Sequence, residues 1–151
     1  MKYPFNVRVY GILICNKQVL LADEYFHKTY ITKFPGGGLQ FGEGTMDCIK
    51  REFKEELNSE IEIIRHFYTT DFFQPSAFDS TKQIISIYYL VKPVSEINFK
   101  TSEKRFDFSE LKDEIQSFRW IALENLSEEE MTFPIDKKAA KILLSENKPE
   151  A

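Results

Sequence analysis

Several scarcities narrow the field at once. Two cysteines, Cys15 and Cys48, stand in 151 residues; both fall in apolar segments, which reads as buried thiols in a reducing compartment rather than a disulfide framework. No stretch approaches the 18 or more uninterrupted apolar residues that a membrane span needs. Positive charge is not in excess: 20 Lys and Arg against 24 Asp and Glu give a net charge of −4 and a pI near 5.3. That excludes a broadly basic nucleic-acid surface, though not the binding of a single nucleotide. Repeats, linkers and low-complexity tracts are missing too. The opening MKYPFNVRVYGILICNKQ has a short apolar stretch with no small-residue cleavage site after it, so no signal peptide is expected. What is present, 42% hydrophobic and 29% charged residues, is the composition of an ordinary soluble globular chain. The expectation is one cytoplasmic domain over residues 1–151, with neither a membrane nor a nucleic-acid polymer as partner.

Along the chain, Val7 to Cys15 and Gln18 to Ala22 read as strands around a tight Asn16-Lys17 turn. A polar and aromatic stretch then leads to Pro35 and a glycine triplet. Five of the six glycines lie between 36 and 44, so the chain there bends sharply or lies close to something. A helix is expected from about Thr45, as N-cap, to Leu57, with Ile49, Phe53 and Leu57 as its buried stripe. Asn58 suits the left-handed position that ends it. Strands are expected over 60–67, 83–91 (central, being nearly all apolar) and 117–123, with a loop carrying Pro75 between the first two. Residues 95–114 are polar and read as irregular with a short helix. An amphipathic helix from Ile135 to Ser145 closes the chain, and the last six residues are expected to fray. Strands, helix, strands, helix without regular alternation indicate an α/β fold with a mixed sheet between helices.

The chemistry concentrates in GGLQFGEGTMDCIKREFKEE, residues 37–56. Glu52, Glu55 and Glu56 stand at i, i+3 and i+4, which puts three carboxylates on one helix face. Like charges at that spacing destabilise a helix by about 0.2–0.5 kcal/mol per pair, and a divalent cation would offset this. Magnesium takes oxygen ligands and is usually held by one or two carboxylates plus substrate phosphates. A glycine loop just before the helix lets backbone groups reach the same ion and phosphate. Such a site suits diphosphate hydrolysis, with a carboxylate accepting the proton of the attacking water. Seen alone, an acidic helix is more often a solvated face and a glycine triplet a turn.

In combination, these residues resemble the Nudix hydrolase family, whose signature is G-x5-E-x7-R-E-U-x-E-E-x-G-U with U a bulky apolar residue. Gly37, Glu43, Arg51, Glu52, Glu55 and Glu56 match identically and Phe53 takes a U position. Six coincidences have a chance of roughly 10⁻⁷ at any one start. Asn58 and Ser59 depart from the pattern, where the family has Gly and an apolar residue; neither position holds metal. The resemblance implies a Nudix-type α/β/α sandwich that hydrolyses a nucleoside diphosphate linked to another moiety, a small-molecule nucleotide. It implies Mg²⁺, with Mn²⁺ as substitute, held by Glu52, Glu55, Glu56 and the Gly36 carbonyl. Glu52 and Glu56 would be catalytic, and Gly37, Glu43 and Arg51 would support the site, the last two as an ion pair between loop and helix.

Many members of the family also use an acid from a later loop. Glu114, six residues before Trp120, fits that place, with Glu110 and Glu103 as competitors. For substrate contacts, Arg8 and Lys33 could hold phosphate and Phe73 could stack a base; Tyr25, Phe26, Phe72 and Phe78 are further aromatic candidates. Pro75, 16 residues past the motif, resembles the ADP-ribose pyrophosphatase subgroup, but one loop proline carries little weight. His27 and His66 show no metal-ligand spacing. Two other classes compete: a non-catalytic nucleotide sensor of the same fold, which could dispense with the carboxylates, and an interaction protein with an acidic surface helix. The aromatic surface offers material for a homodimer.

Overall fold

A computed structural model describes residues 2–147, so 148–151, most of the tail expected to fray, lie outside the described residues. The elements are β1 (Phe5–Cys15), β2 (Gln18–Phe26), β3 (Thr29–Lys33), β4 (Gly36–Gly38), α1 (Thr45–Leu57), β5 (Ile61–Thr69), β6 (Gln83–Pro93), β7 (Ile115–Ala122) and α2 (Pro134–Glu146). Two single 3-10 turns, Leu123–Asn125 and Glu128–Glu130, precede α2. The chain forms two units, the described residues up to Leu13 with Pro35–Phe99, and Ile14–Phe34 with the described residues from Lys100.

The first unit carries a mixed sheet in the order β4-β1-β6-β5. β1 pairs antiparallel with β4 and parallel with β6, from Phe5↔Gln83 to Leu13↔Val91. β5 joins β6 antiparallel with two register irregularities. Pairing on both sides explains the apolar run of β6, and its one polar interior residue, Ser86, is buried with its N–H donating to Thr70 Oγ1 at 2.8 Å. Helix α1 turns Phe53 and Ile49 onto β1 at Gly11, and Cys48, Ile49, Phe53 and Leu57 are buried.

Both ends of α1 are set locally. Gly44, not Thr45, is the N-cap: its N–H donates to Asp47 Oδ2 at 3.3 Å. Thr45 lies in the first turn, where its hydroxyl is 2.6 Å from the Tyr89 hydroxyl on β6. At the other end Asn58 is left-handed (φ 50°), and its N–H and that of Ser59 reach back to Lys54 and Phe53 carbonyls at 3.0 and 3.3 Å. Asn58→Ala is therefore expected to cost about 1 kcal/mol in chemical denaturation, while Asn58→Gly costs nothing. Equal losses in both variants would place the role of Asn58 in its side chain.

The second unit holds an antiparallel sheet, β3-β2-β7, to which Ile14 and Cys15 add a hairpin with β2. Its turn residues Asn16 and Lys17 both have positive φ (52° and 61°), as a primed two-residue hairpin turn requires. The polar stretch after Ala22 proves to be the rest of β2 and the whole of β3, joined by a second such turn at His27-Lys28. The polar residues are buried because they are paired. Asp23 accepts from Arg119 Nε at 2.7 Å, from the Thr32 hydroxyl at 2.7 Å and from the Phe106 N–H at 3.2 Å. Arg119 Nη2 also reaches Glu130 at 3.1 Å. The short helix expected within 95–114 does not form: the segment's backbone is drawn into other bonds, Ser102 N–H to the Phe118 carbonyl and Phe106 N–H to Asp23.

Candidate active site

The glycine triplet is a strand rather than a turn, and close approach explains two of its members. Gly36 has φ 154°, and a Cβ there would run into the Val9 carbonyl and lie 2.7 Å from Tyr10 Cα. At Gly37 a Cβ would meet all three atoms of the Glu52 carboxyl group, the farthest being Oε2 at 2.8 Å. The Glu52 carboxylate thus lies on the backbone of β4, and Glu52 is only 9% exposed. This position on the buried side of α1, next to Phe53, separates it from Glu55, which stands in solvent, and from Glu56, which is half-buried.

Arg51 organises the cluster. Its Nε and Nη2 donate to the two oxygens of Glu43 at 2.9 and 2.8 Å, a two-pronged pair, and Nη2 also reaches the Gly38 carbonyl at 3.1 Å. Nη1 donates to Glu52 Oε1 at 3.0 Å and to Glu55 Oε2 at 3.1 Å. Glu43 closes the loop by accepting the Gln40 N–H at 2.9 Å. One guanidinium therefore joins the glycine strand, the loop after it and two of the three helix carboxylates, in the planar, multi-donor manner that lysine lacks.

These contacts shift ionisation. The Arg51 hydrogen bonds, then the Gln40 N–H, hold the Glu43 carboxyl down at about 2, against 4.5 ordinarily. Burial, with Glu43 beside it, pushes the Cys48 thiol up to about 12, so Cys48 is an inert neutral thiol at pH 7. The Glu43 bonds in turn raise Arg51 above its ordinary value despite burial. Because the folded state depresses the Glu43 pKa, its stabilising contribution is complete above about 4.5 and is lost as pH falls towards 2. The stability gap between wild type and Glu43→Gln, followed by denaturation from pH 7 downward, should be constant near neutrality and close over that interval. A gap that persists at pH 2 would assign the difference to something other than the carboxylate charge.

For a divalent cation the donor chemistry fits: Glu52, Glu55 and Glu56 offer hard carboxylate oxygens from one rigid helix, beside the backbone of Gly36 and Gly37. Their present arrangement is not a finished site. Among the described residues, no three of His, Cys, Asp and Glu are gathered closely enough to hold one cation, and Arg51 Nη1 engages one oxygen each of Glu52 and Glu55.

The other residues singled out from the sequence are placed as follows. Arg8, on β1 and paired in register with Gly38, donates from Nε to the Tyr10 hydroxyl at 2.6 Å. Phe73 is 71% exposed in the loop between β5 and β6, flanked by the less exposed Phe72 and Phe78. Pro75 in that loop bridges to Gln83. In the second unit, Lys33 is buried in an ion pair with Glu24 at 2.9 Å, and Gln116 donates to the same Glu24 oxygen at 3.2 Å. Glu114 is exposed, in the turn leading into β7 with φ 69°, its N–H on the Tyr25 carbonyl at 2.7 Å. Glu110 faces Lys112 at 3.1 Å. Tyr25 packs against Tyr30, and Phe26 against His27, with ring centroids 5.1 and 4.0 Å apart. Sequence reasoning missed the Gly38 carbonyl and the Gln40 N–H, backbone groups that leave no side-chain signal. It also missed Glu24, whose partnership with Lys33 depends on the β2–β3 pairing.

The family model described as NUDIX domain matches residues 5–143. The chain is 33% identical over 98 residues to an NAD-capped RNA hydrolase NudC of Photobacterium profundum, covering 65% of this chain and 32% of that protein. The chain spans about a third of the length of the curated relatives it matches. Among solved structures, a NUDIX hydrolase from Nitrosomonas europaea superposes with a TM-score of 0.69 at 15% identity, over 95% of this chain and 90% of that one. A MutT protein from Methanosarcina mazei Go1 gives 0.69 at 18% identity, over 99% of both chains. The likeness shows the fold, α/β with a mixed sheet, and it is that of the family's α/β/α sandwich.

Proposed function

The chain belongs to the Nudix family, and on that premise we propose that it is a metal-dependent pyrophosphohydrolase. Its substrate would be a nucleoside diphosphate linked to another moiety, cleaved at the diphosphate by attack of water on phosphorus. The observation that carries the reading is the carboxylate set. Glu52, Glu55 and Glu56 are all retained, Glu52 is seated on Gly37, and Arg51 and Glu43 brace the loop beside it. A nucleotide sensor can dispense with the carboxylates, and this chain keeps every one of them.

In this reading Glu52, Glu55, Glu56 and the Gly36 carbonyl hold Mg²⁺, or Mn²⁺ in its place. The bound cation supplies charge neutralisation of the phosphate oxygens and acidification of water. Glu52 or Glu114 accepts the proton of the attacking water. Gly37 makes room for the Glu52 carboxylate, and Glu43 with Arg51 keeps the loop on the helix. Arg8 and Phe73 are proposed as phosphate and base contacts; Lys33 can serve phosphate only by sharing its ammonium with Glu24. The partner is thus a small-molecule nucleotide. The similarity to NAD-capped RNA hydrolases adds dinucleotides such as NAD to the substrates worth trying, alongside ADP-ribose, sugar nucleotides and nucleoside triphosphates.

The test incubates the protein with Mg²⁺ and each of these nucleotides and identifies products by chromatography. A nucleoside monophosphate released from at least one supports hydrolysis at the diphosphate. Binding of a nucleotide by calorimetry with no product from any would replace the enzyme by the sensor. Within the same assay, Glu114→Gln is expected to lower turnover about 10²-fold and to leave cation binding intact. An unchanged rate and pH profile would remove Glu114 from the reaction.

A further inference from the structure

The hydrogen bonds of Arg51 set two of the three helix carboxylates apart, a fixed one and a movable one. Glu52 is confined: its carboxyl group rests on Gly37, it is 9% exposed, and Oε1 takes Nη1 at 3.0 Å. Glu55 takes the same Nη1 at 3.1 Å from an open position, its side chain 57% exposed. The opposite edge of the guanidinium, Nε and Nη2, is held independently by both oxygens of Glu43 and by the Gly38 carbonyl. Because Nη1 stands 3.0 and 3.1 Å from one oxygen of each, a cation held by those two oxygens takes the place of a guanidinium N–H, and one carboxylate must let go of it. Glu52, buried against Gly37, is the more confined of the two, and an exposed ion pair such as that of Glu55 is a weak restraint.

We propose that Glu55 is an exchanging ligand, leaving Arg51 Nη1 when a divalent cation binds, while the Glu43 edge of the same guanidinium stays in place. Arg51 is then a positioning residue with two separable edges. One holds the loop throughout. The other holds Glu55 until a dication, with twice the charge and a stronger preference for carboxylate oxygen, takes it over. This rests on the metal site proposed above. It adds that cation binding is coupled to a specific side-chain movement, and that Glu55, not Glu52, makes it.

The experiment uses the full chain labelled with ¹⁵N-arginine, Arg51 signals being assigned by their loss in Arg51→Lys, with Mg²⁺ binding measured on the same samples by calorimetry. On saturation with Mg²⁺, rotation about the Arg51 Cζ–Nη1 bond is expected to quicken roughly threefold, the scale of one exposed ion pair, while the Nε–H signal bonded to Glu43 keeps its position. Glu55→Gln without Mg²⁺ should show the quicker rotation from the start, and Mg²⁺ should change it no further. Saturable Mg²⁺ heat with Nη1 unaltered in wild type would overturn the exchange and leave the metal site standing. Absence of any Mg²⁺ heat, with or without ADP, would overturn the metal site and the exchange with it.

Discussion

Glu56→Gln is expected to lower turnover by about 10³-fold and to leave the fold intact. The substitution keeps shape and helix propensity and removes one negative charge. Glu56 is half-buried and lies outside the buried stripe of Cys48, Ile49, Glu52, Phe53 and Leu57. A site that relies on a few carboxylates to fix a divalent cation loses much of its hold when one becomes an amide, and single electrostatic contributors of this kind weigh about 10²–10³ or more in rate. Product release by Glu56→Gln should fall in step with its affinity for Mg²⁺, and its denaturation midpoint should stay near that of the wild type. Near-normal turnover in a folded Glu56→Gln would take Glu56 out of the metal site.

The second large effect is expected at Gly37. An alanine there suits strand backbone, since Gly37 is not among the glycines with positive φ, yet its Cβ would fall among the atoms of the Glu52 carboxyl group. Either the carboxylate or β4 must give way. Crowding of this kind costs about 1–3 kcal/mol, and displacing a reacting group by about 1 Å can cost 10²-fold in rate. Gly38→Ala is the control. The nearest atom to its added methyl is Arg8 Nη1 at 3.9 Å, an ordinary contact, so stability and turnover should both be close to wild type. If the two variants were equally impaired, the strand itself, and not the seat it provides for Glu52, would be the sensitive feature.

These two positions illustrate how much was legible in advance. The spacing of Gly37, Glu43, Arg51, Glu52, Glu55 and Glu56 identifies the site because helix geometry and a family signature are both local in sequence. For the same reason α1 is read with its end at Leu57 and its left-handed Asn58. Its start was off by one residue: a glycine takes the cap through the Asp47 side chain, while Thr45 has a partner 44 residues away on β6. β3 and the second half of β2 were illegible. Asp23, Glu24, Thr32 and Lys33 look like solvent residues until their partners appear, and Arg119 lies 96 residues from Asp23. The segment 95–114 escaped for a like reason, its backbone being satisfied by groups far along the chain.

The amino-acid sequence by itself determines that three carboxylates share one face of α1, because residues three and four apart on a helix meet whatever surrounds it. It also determines that glycine precedes them. Tertiary structure alone decides how those carboxylates differ. The pairing of β4 with β1 brings Gly37 beneath Glu52 and the Gly38 carbonyl to Arg51. From that follow the burial of Glu52, the two-edged hold of Arg51 and the exposure of Glu55, since contact across strands depends on register and not on spacing along the chain.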